Sequence, residues 1–337
     1  MAKNMQSDMQ GTRDGFLQRR SFLIGVGGLA GTALLPGCGA PVSREQKLRV
    51  SRNKGGYELI LRIAGLKPEG FELSYNFFQS GHLVIEALNA GSLDFGTMSE
   101  IPPVFAAASS MQSFRQIATI AGDVNNQVIL VPKHSNIRDL IDLKGKRVAY
   151  VRATTSQYFL IRMLQSVGLG WKDIEPVSMS TTDGAAAFST GAVDAWAIYG
   201  FQIQRAIAKE GARVLKTALG FLSGNYIASA HVDALANPAK VEQIGAYLRL
   251  FKQGMAWKAG HETAYAEALA KEVEVPLQYT LDQIRNASQP TRLLPVTDAV
   301  IASQQEVADV FFKAGLLPRA VDVRPLWDDR FNAILSD

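Results

Sequence analysis

Residues 77–105 contain two successive strand–loop–helix units, and no other stretch constrains the fold as strongly. In the first unit an apolar run ends at Phe78, and apolar residues spaced by three and four then predict a helix as far as Asn89. Between them, Ser80 is predicted to cap this helix and Gly81 to let backbone segments approach closely. This alternation of strand and helix is typical of an α/β fold.

The second unit follows directly. Residues 93–98 are short, apolar and strand-like, and Pro102 and Pro103 fit the first turn of another helix. The loops 79–81 and 98–101 therefore both lie between the carboxyl end of a strand and the start of a helix. Two helix N-termini directed at one crevice predict a site for an anion or polar ligand that needs no catalytic group.

Similar units recur further along the chain. Residues 114–121 and 127–131 read as strands, and residues 153–156 lead into a helix predicted over 157–167. A glycine followed three positions later by aspartate and a strand occurs at 91–94 and again in 191–199. This repetition predicts two lobes of like architecture.

The N-terminal segment reads as a signal peptide over residues 1–38. Basic residues precede an uncharged stretch, 21–37, that is too short and glycine-rich for a confident membrane span. The pair Arg19 and Arg20 resembles a twin-arginine signal. Residues 39–46 are predicted to be a tether.

Cys38 is the only cysteine, which excludes an internal disulfide, cysteine-based zinc sites and dithiol redox chemistry. Residues 35–38 resemble a lipobox, which makes Cys38 a candidate for lipid attachment. The alternative is simple cleavage near Gly39. The net charge of only +4 argues against nucleic-acid binding. Neither a zinc-protease histidine pair nor a serine-hydrolase elbow is present.

The segments Ser80-Gly81, 86–91, 93–96 and Pro102-Pro103 together resemble solute-binding proteins of ABC importers for aliphatic sulfonates, taurine and nitrate. The resemblance implies an α/β, two-lobed type II periplasmic binding protein fold with a hinge and a ligand cleft. It places lobe 1 at 47–132 plus 233–337 and lobe 2 at 133–232.

The same resemblance implies a non-enzymatic, monomeric protein without cofactor or metal, in the periplasm or at the outer face of the cytoplasmic membrane. It would touch the membrane only through a lipid anchor and deliver a small organosulfur anion to an ABC permease and its ATPase. Nitrate, taurine or a pyrimidine precursor are alternative ligands. A desulfinase-like enzyme of the same fold is a further alternative, but its cysteine nucleophile has no counterpart here. A sensory domain is disfavoured, since no signalling module follows.

Residues from several loops are expected to contact the ligand. They are Asn53, Gly56, Tyr57, Ser80, Gly81, His82, Ser99, Glu100, Gln127, Arg152, Thr154, Thr155, Ser156, Tyr199 and Phe201.

The charged members of this set are open to more than one interpretation. Arg152 either supplies charge-assisted bonds to an anion or lies on the surface at a strand end. Glu100 either binds a positive group at the far end of the ligand or caps the following helix and points away. His82 is either a ligand contact or a solvated residue of the first helical turn, and Lys54 reads as a solvated loop charge.

Overall fold

The computed structural model describes residues 46–336. The predictions for the signal peptide, for lipid attachment at Cys38 and for nearly all of the tether lie outside the described residues. All of these residues belong to one compact unit. Within the described part of the chain, no helix combines the length and apolarity needed to cross a membrane.

In the described chain most strands alternate with helices until residue 231, and the remainder is mainly helical. The strands are β1 (Lys47–Arg52), β2 (Glu72–Phe77), β3 (Phe95–Ser99), β4 (Phe114–Ala121), β5 (Gln127–Val131), β6 (Arg147–Tyr150), β7 (Glu175–Ser178), β8 (Ala195–Tyr199), β9 (Arg213–Thr217), β10 (Asn225–His231) and β11 (Arg292–Leu294). The helices are α1 (Tyr57–Ile63), α2 (Gly81–Asn89), α3 (Ile101–Ala108), α4 (Thr155–Ser166), α5 (Thr181–Ser189), α6 (Gln202–Glu210), α7 (Val232–Ala236), α8 (Pro238–Gly260), α9 (Glu262–Val273), α10 (Leu277–Arg285), α11 (Asp298–Lys313) and α12 (Asn332–Ser336).

Two mixed sheets form the centres of two lobes. The sheet of lobe 1 has the order β11-β4-β10-β3-β1-β2, and that of lobe 2 has the order β7-β6-β8-β5-β9. Strands β1, β2 and β3 are parallel, and β10 runs antiparallel to β3 and β4. The predicted two-lobed α/β fold is confirmed.

The strand pairing corrects the predicted lobe boundaries. Strand β5 is antiparallel to β8 and β9, so it belongs to lobe 2 rather than to lobe 1. The chain therefore crosses between the sheets in residues 122–126 and returns in residues 218–224, not at the boundaries predicted after 132 and 232. A short, fully buried apolar strand such as β5 carries no pattern that identifies its sheet.

The repeated glycine–x–x–aspartate pattern has a structural basis. The carboxylate of Asp94 accepts hydrogen bonds from the backbone N–H (2.8 Å) and the guanidinium (2.5 Å) of Arg49 on β1. In lobe 2 the carboxylate of Asp194 accepts the same two bonds from Arg147 on β6, at 2.9 and 2.8 Å. In both lobes the arginine also donates to the carbonyl of the glycine three residues before the aspartate. The predicted similarity of the two lobes is confirmed.

Apolar packing fixes the C-terminal helices against lobe 1. Phe251 and Tyr247 on α8 are buried against Tyr57 and Phe95 of the first lobe. Trp257 packs at the edge of this core. The sequence did not predict helix α6 or strand β11. These segments of 9 and 3 residues contain few apolar positions, so no hydrophobic periodicity can be recognised in them.

Candidate ligand-binding cleft

A cleft of about 330 Å³ lies between the lobes, where the carboxyl ends of the strands meet helix starts. Both lobes and the crossing 122–126 contribute to its walls. The predicted residues that line it are Asn53, Gly56, Tyr57, Ser80, Gly81, Ser99, Gln127, Thr154, Thr155 and Tyr199. Their contact with a ligand stays a prediction, but the fold brings them together in one cavity.

The start of α2 forms one wall of the cleft. A Cβ atom at Gly81 would lie 2.9 Å from Cβ of Met98 and 3.0 Å from Cγ of Pro102, so the close approach predicted for this glycine is confirmed. Ser80 occupies the N-cap position with extended backbone, but its side chain caps nothing. Its hydroxyl instead lies 3.0 Å from Nδ1 of His82. The first-turn N–H groups of α2 are thus left without a capping side chain.

The start of α4 forms the facing wall, in lobe 2. The helix begins at Thr155, two residues earlier than predicted, and Thr154 is its N-cap without a side-chain capping bond. The Thr154 hydroxyl donates to the carbonyl of Val151 at 2.7 Å instead. The Thr155 hydroxyl makes no hydrogen bond to any residue that the structure describes.

Ser156 does not line the cleft, which corrects its predicted role. Its side chain is fully buried, and its hydroxyl accepts the N–H of Val151 at 3.0 Å. Together with Thr154 it fixes the turn before α4. The three consecutive hydroxyl residues therefore have different roles. Thr154 and Ser156 stabilise the turn, and Thr155 faces the cavity.

Glu100 does not line the cleft, which corrects its predicted ligand contact, and of the alternative interpretation only the orientation away from the cleft is found, not the capping bond. The side chain is only 2% exposed and accepts hydrogen bonds from the hydroxyls of Ser223 and Ser303. Burial raises the pKa of Glu100 to about 7. It stands at the N-cap of α3 but makes no side-chain capping bond.

Three further predicted residues lie elsewhere. His82 and Arg152 line a neighbouring groove that shares Gln79 and Ser80 with the cleft and extends to the start of α5. Burial lowers the pKa of the His82 imidazole. Phe201 packs against the lobe 1 core, with the ammonium of Lys54 located 5.8 Å from its ring centre. Loop residues adjacent in sequence can face opposite sides of a turn, and the sequence pattern does not resolve which side.

The polar floor of the cleft comes partly from residues that the sequence did not single out. Gln127 is buried and donates from Nε2 to the Tyr226 hydroxyl at 2.7 Å, and this hydroxyl donates to the carbonyl of Asp123 at 3.1 Å. The other amide atom, Oε1 of Gln127, has no hydrogen-bond partner among the described residues. A buried polar atom without a partner is costly, so this acceptor needs a water molecule or a ligand donor beside it.

Residues from the C-terminal helices close the cavity from lobe 1. Met255 and Lys258 on α8 and Tyr265 on α9 line it, and Ile60 and Phe78 add apolar surface. No motif marks these positions, because they reach the cleft only through the packing of α8 and α9. Within residues 46–336, no group of three or more histidine, cysteine or acidic side chains is arranged to hold a metal ion.

Comparisons with known proteins agree with this architecture. A family model described as NMT1/THI5-like matches residues 66–263. A protein named putative aliphatic sulfonates-binding protein, from Escherichia coli K12, is 32% identical over 291 residues, covering 85% of this chain and 89% of that protein. The crystal structure of the alkanesulfonate-binding protein SsuA from Xanthomonas axonopodis pv. citri, bound to MOPS, matches with a TM-score of 0.74 at 28% identity, covering 84% of this chain and 98% of that one.

An enzyme also shares the fold. The desulfurization enzyme DSZB matches with a TM-score of 0.61 at 15% identity, covering 86% of this chain and 99% of that one. At this identity the match concerns the fold alone.

Proposed function

This chain belongs to the NMT1/THI5-like family, and from that premise we propose that it is the extracytoplasmic substrate-binding component of an ABC importer. Its ligand is a small aliphatic sulfonate, which it delivers to a permease driven by an ATPase. We assign it to the periplasm or the outer face of the cytoplasmic membrane, as a monomer that is held there by a lipid if Cys38 is modified.

The observation that carries the proposal is the pair of helix starts at the cleft. Helix α2 from lobe 1 and α4 from lobe 2 both begin there, and neither has a side-chain cap. Uncapped N–H groups and the positive end of the helix dipole favour an anion, and one such helix from each lobe would let a single anion join them. Other helices, such as α1, α3 and α6, also start without a side-chain cap, so what distinguishes α2 and α4 is that they reach the same cleft from opposite lobes.

Apolar side chains favour a sulfonate with a hydrocarbon tail over nitrate. Ile60, Phe78, Met98, Ile120 and Met255 all line the cleft. Burying a methylene group against such a surface contributes about 0.8 kcal/mol, which nitrate cannot gain. Taurine would place an ammonium in the same space, and Glu100 is not in the cleft to receive it.

The enzyme alternative has the required fold but lacks the required cysteine nucleophile. Cys38 is the sole cysteine of the sequence, and it precedes the first strand of lobe 1 by several residues. A thiolate nucleophile is therefore not supplied by any residue that lines the cleft. We propose binding without turnover.

Calorimetric titration with butanesulfonate, taurine and nitrate tests the proposal. Butanesulfonate should bind one-to-one and more tightly than the other two. Ser80→Ala and Thr155→Val should weaken it, whereas Thr190→Val, which removes an exposed hydroxyl outside the cleft, should not. Failure of butanesulfonate to bind, or release of sulfite during incubation, would contradict the proposal.

A further inference from the structure

Three charged residues line the cleft: Arg52, Asp123 and Lys258. Arg52 lies 3.3 Å from the carboxylate of Glu58, which offsets its charge. Of the two cations among them, Lys258 is the one without a carboxylate at ion-pair distance within residues 46–336.

The carboxylate of Asp123 already accepts four hydrogen bonds from other residues of the protein. Its carboxylate accepts the backbone N–H groups of Asn125 (2.8 Å), Asn126 (3.1 Å) and Ser288 (2.8 Å), and the Ser288 hydroxyl at 3.0 Å. These bonds tie the crossing 122–126 to the segment before β11. The carboxylate is therefore committed to holding the crossing in place.

Lys258 extends from the last turn of α8 into the cleft wall. Its ammonium lies 4.6 Å from the centre of the Tyr265 ring, on α9. Within residues 46–336, no carboxylate lies within 4.0 Å of this ammonium and no hydrogen bond to it is present. The nearest acidic groups that act on it are Asp123 and Glu262, both beyond ion-pair distance, and burial lowers the pKa of the amine.

A half-buried ammonium without a counter-ion is an unfavourable arrangement in an empty site. An anion placed in the cleft would offset that charge, and the aromatic face of Tyr265 would hold the ammonium in position. The uncapped starts of α2 and α4 offer partial positive charge, but Lys258 offers a full one.

We propose that Lys258 is the counter-charge for the anionic group of the ligand. This inference rests on the proposed function, because it assigns a ligand-binding role to a residue of the same cleft. Of the two cations that line the cleft, Arg52 is paired with Glu58, and Lys258 has no carboxylate at ion-pair distance among residues 46–336.

Calorimetry on the full chain and a set of variants tests this role, with butanesulfonate, sulfate and nitrate as probes. Lys258→Met should lower the affinity for the anion that the parent binds by about tenfold or more, equivalent to about 1.4 kcal/mol. Lys258→Arg, which keeps the charge, should lose less. Lys271→Met removes the same charge from an exposed position on α9 and should leave affinity unchanged.

A second readout separates this role from a merely structural one. Because burial lowers the pKa of Lys258, the empty protein loses this proton at a lower pH than an exposed lysine would, so the readout is made at alkaline pH. A bound anion raises that pKa, so titrations in two buffers of different ionisation enthalpy should show proton uptake by the parent and none by Lys258→Met. The facing groups Asp123, Glu262 and Tyr265 are unchanged in both proteins.

The outcomes distinguish the two proposals. Equal affinity of the parent and a folded Lys258→Met for butanesulfonate would overturn the role of Lys258 and leave sulfonate binding intact. Binding of sulfate or nitrate but not butanesulfonate, lost in Lys258→Met, would support the counter-charge and contradict the proposed ligand. Absence of binding of all three probes to the parent would overturn both.

Discussion

The hydroxyl of Ser223 donates a hydrogen bond to Oε1 of Glu100 and thereby joins the returning crossing between the lobes to the start of α3. Ser223 lies within residues 218–224, which lead from β9 back to β10. The carboxyl group is thus buried at the base of a segment that must bend if the lobes move. Its protonation state affects the stability of this connection.

Replacing Glu100 by glutamine should change how stability depends on pH. Burial raises the pKa of Glu100 from 4.5 to about 7, so the folded protein binds this proton more tightly than the unfolded chain does. That stabilisation is fully present below pH 4.5 and is lost as pH rises through about 7. The shift corresponds to about 3 kcal/mol. Urea unfolding at several pH values should show Glu100→Gln gaining stability relative to the parent as pH rises.

Glu267→Gln is a suitable control, because Glu267 is exposed on α9. Its stability should follow the parent at every pH. If the free energies of unfolding of Glu100→Gln and the parent also change in parallel with pH, the pKa of Glu100 is not raised in the folded protein.

The two lobes should respond unequally to loss of their matching aspartates. Asp94 is 3% exposed and bonds both Arg49 and Lys240, so Asp94→Ala removes a buried carboxylate that pairs with two cations. We expect a loss of about 3–5 kcal/mol in the free energy of unfolding. Asp194→Ala should cost less, because Asp194 and Arg147 are more exposed. Denaturant titration measures both, and an equal cost would contradict the assigned difference in burial.

Gly81→Ala should disturb the start of α2. The added Cβ would meet Cβ of Met98 at 2.9 Å, and a Cβ atom cannot rotate away. We expect about 1–3 kcal/mol of destabilisation, together with weaker butanesulfonate binding. Gly260→Ala, where nothing lies within 4 Å of the new atom, should leave binding unchanged and should not lower stability, because alanine is favoured over glycine in a helix. Thermal unfolding and calorimetry measure the two effects, and matching results for the two variants would exclude steric restriction at Gly81.

Most of the cleft could be predicted because its main loops follow local rules. A strand end, a glycine or hydroxyl residue and a periodic helix mark Ser80 and Thr155 without any knowledge of the rest of the chain. Lys258 could not be predicted, since it reaches the cleft only when α8 packs on lobe 1. The predicted ligand contact of Glu100 was wrong for a different reason. Its hydrogen-bond partners Ser223 and Ser303 are distant in sequence, so the orientation of its side chain depends on tertiary contacts. The sheet membership of β5 likewise depends on non-local pairing.

Ligand binding should close the lobes about the crossings 122–126 and 218–224. Small-angle scattering should then give a smaller radius of gyration with saturating butanesulfonate than without it. Ser80→Trp, which fills the cleft mouth, should show no change on adding the same compound. Superimposable curves for a parent that calorimetry shows to be saturated would contradict closure on binding, because the free and bound proteins would then share one conformation.

Native mass spectrometry of the purified protein tests capture of a sulfonate by the cleft most directly. With butanesulfonate present, the parent should carry the mass of one intact ligand, and Ser80→Trp should carry none. A parent that stays ligand-free, or a Ser80→Trp variant that carries the ligand equally, would contradict the account.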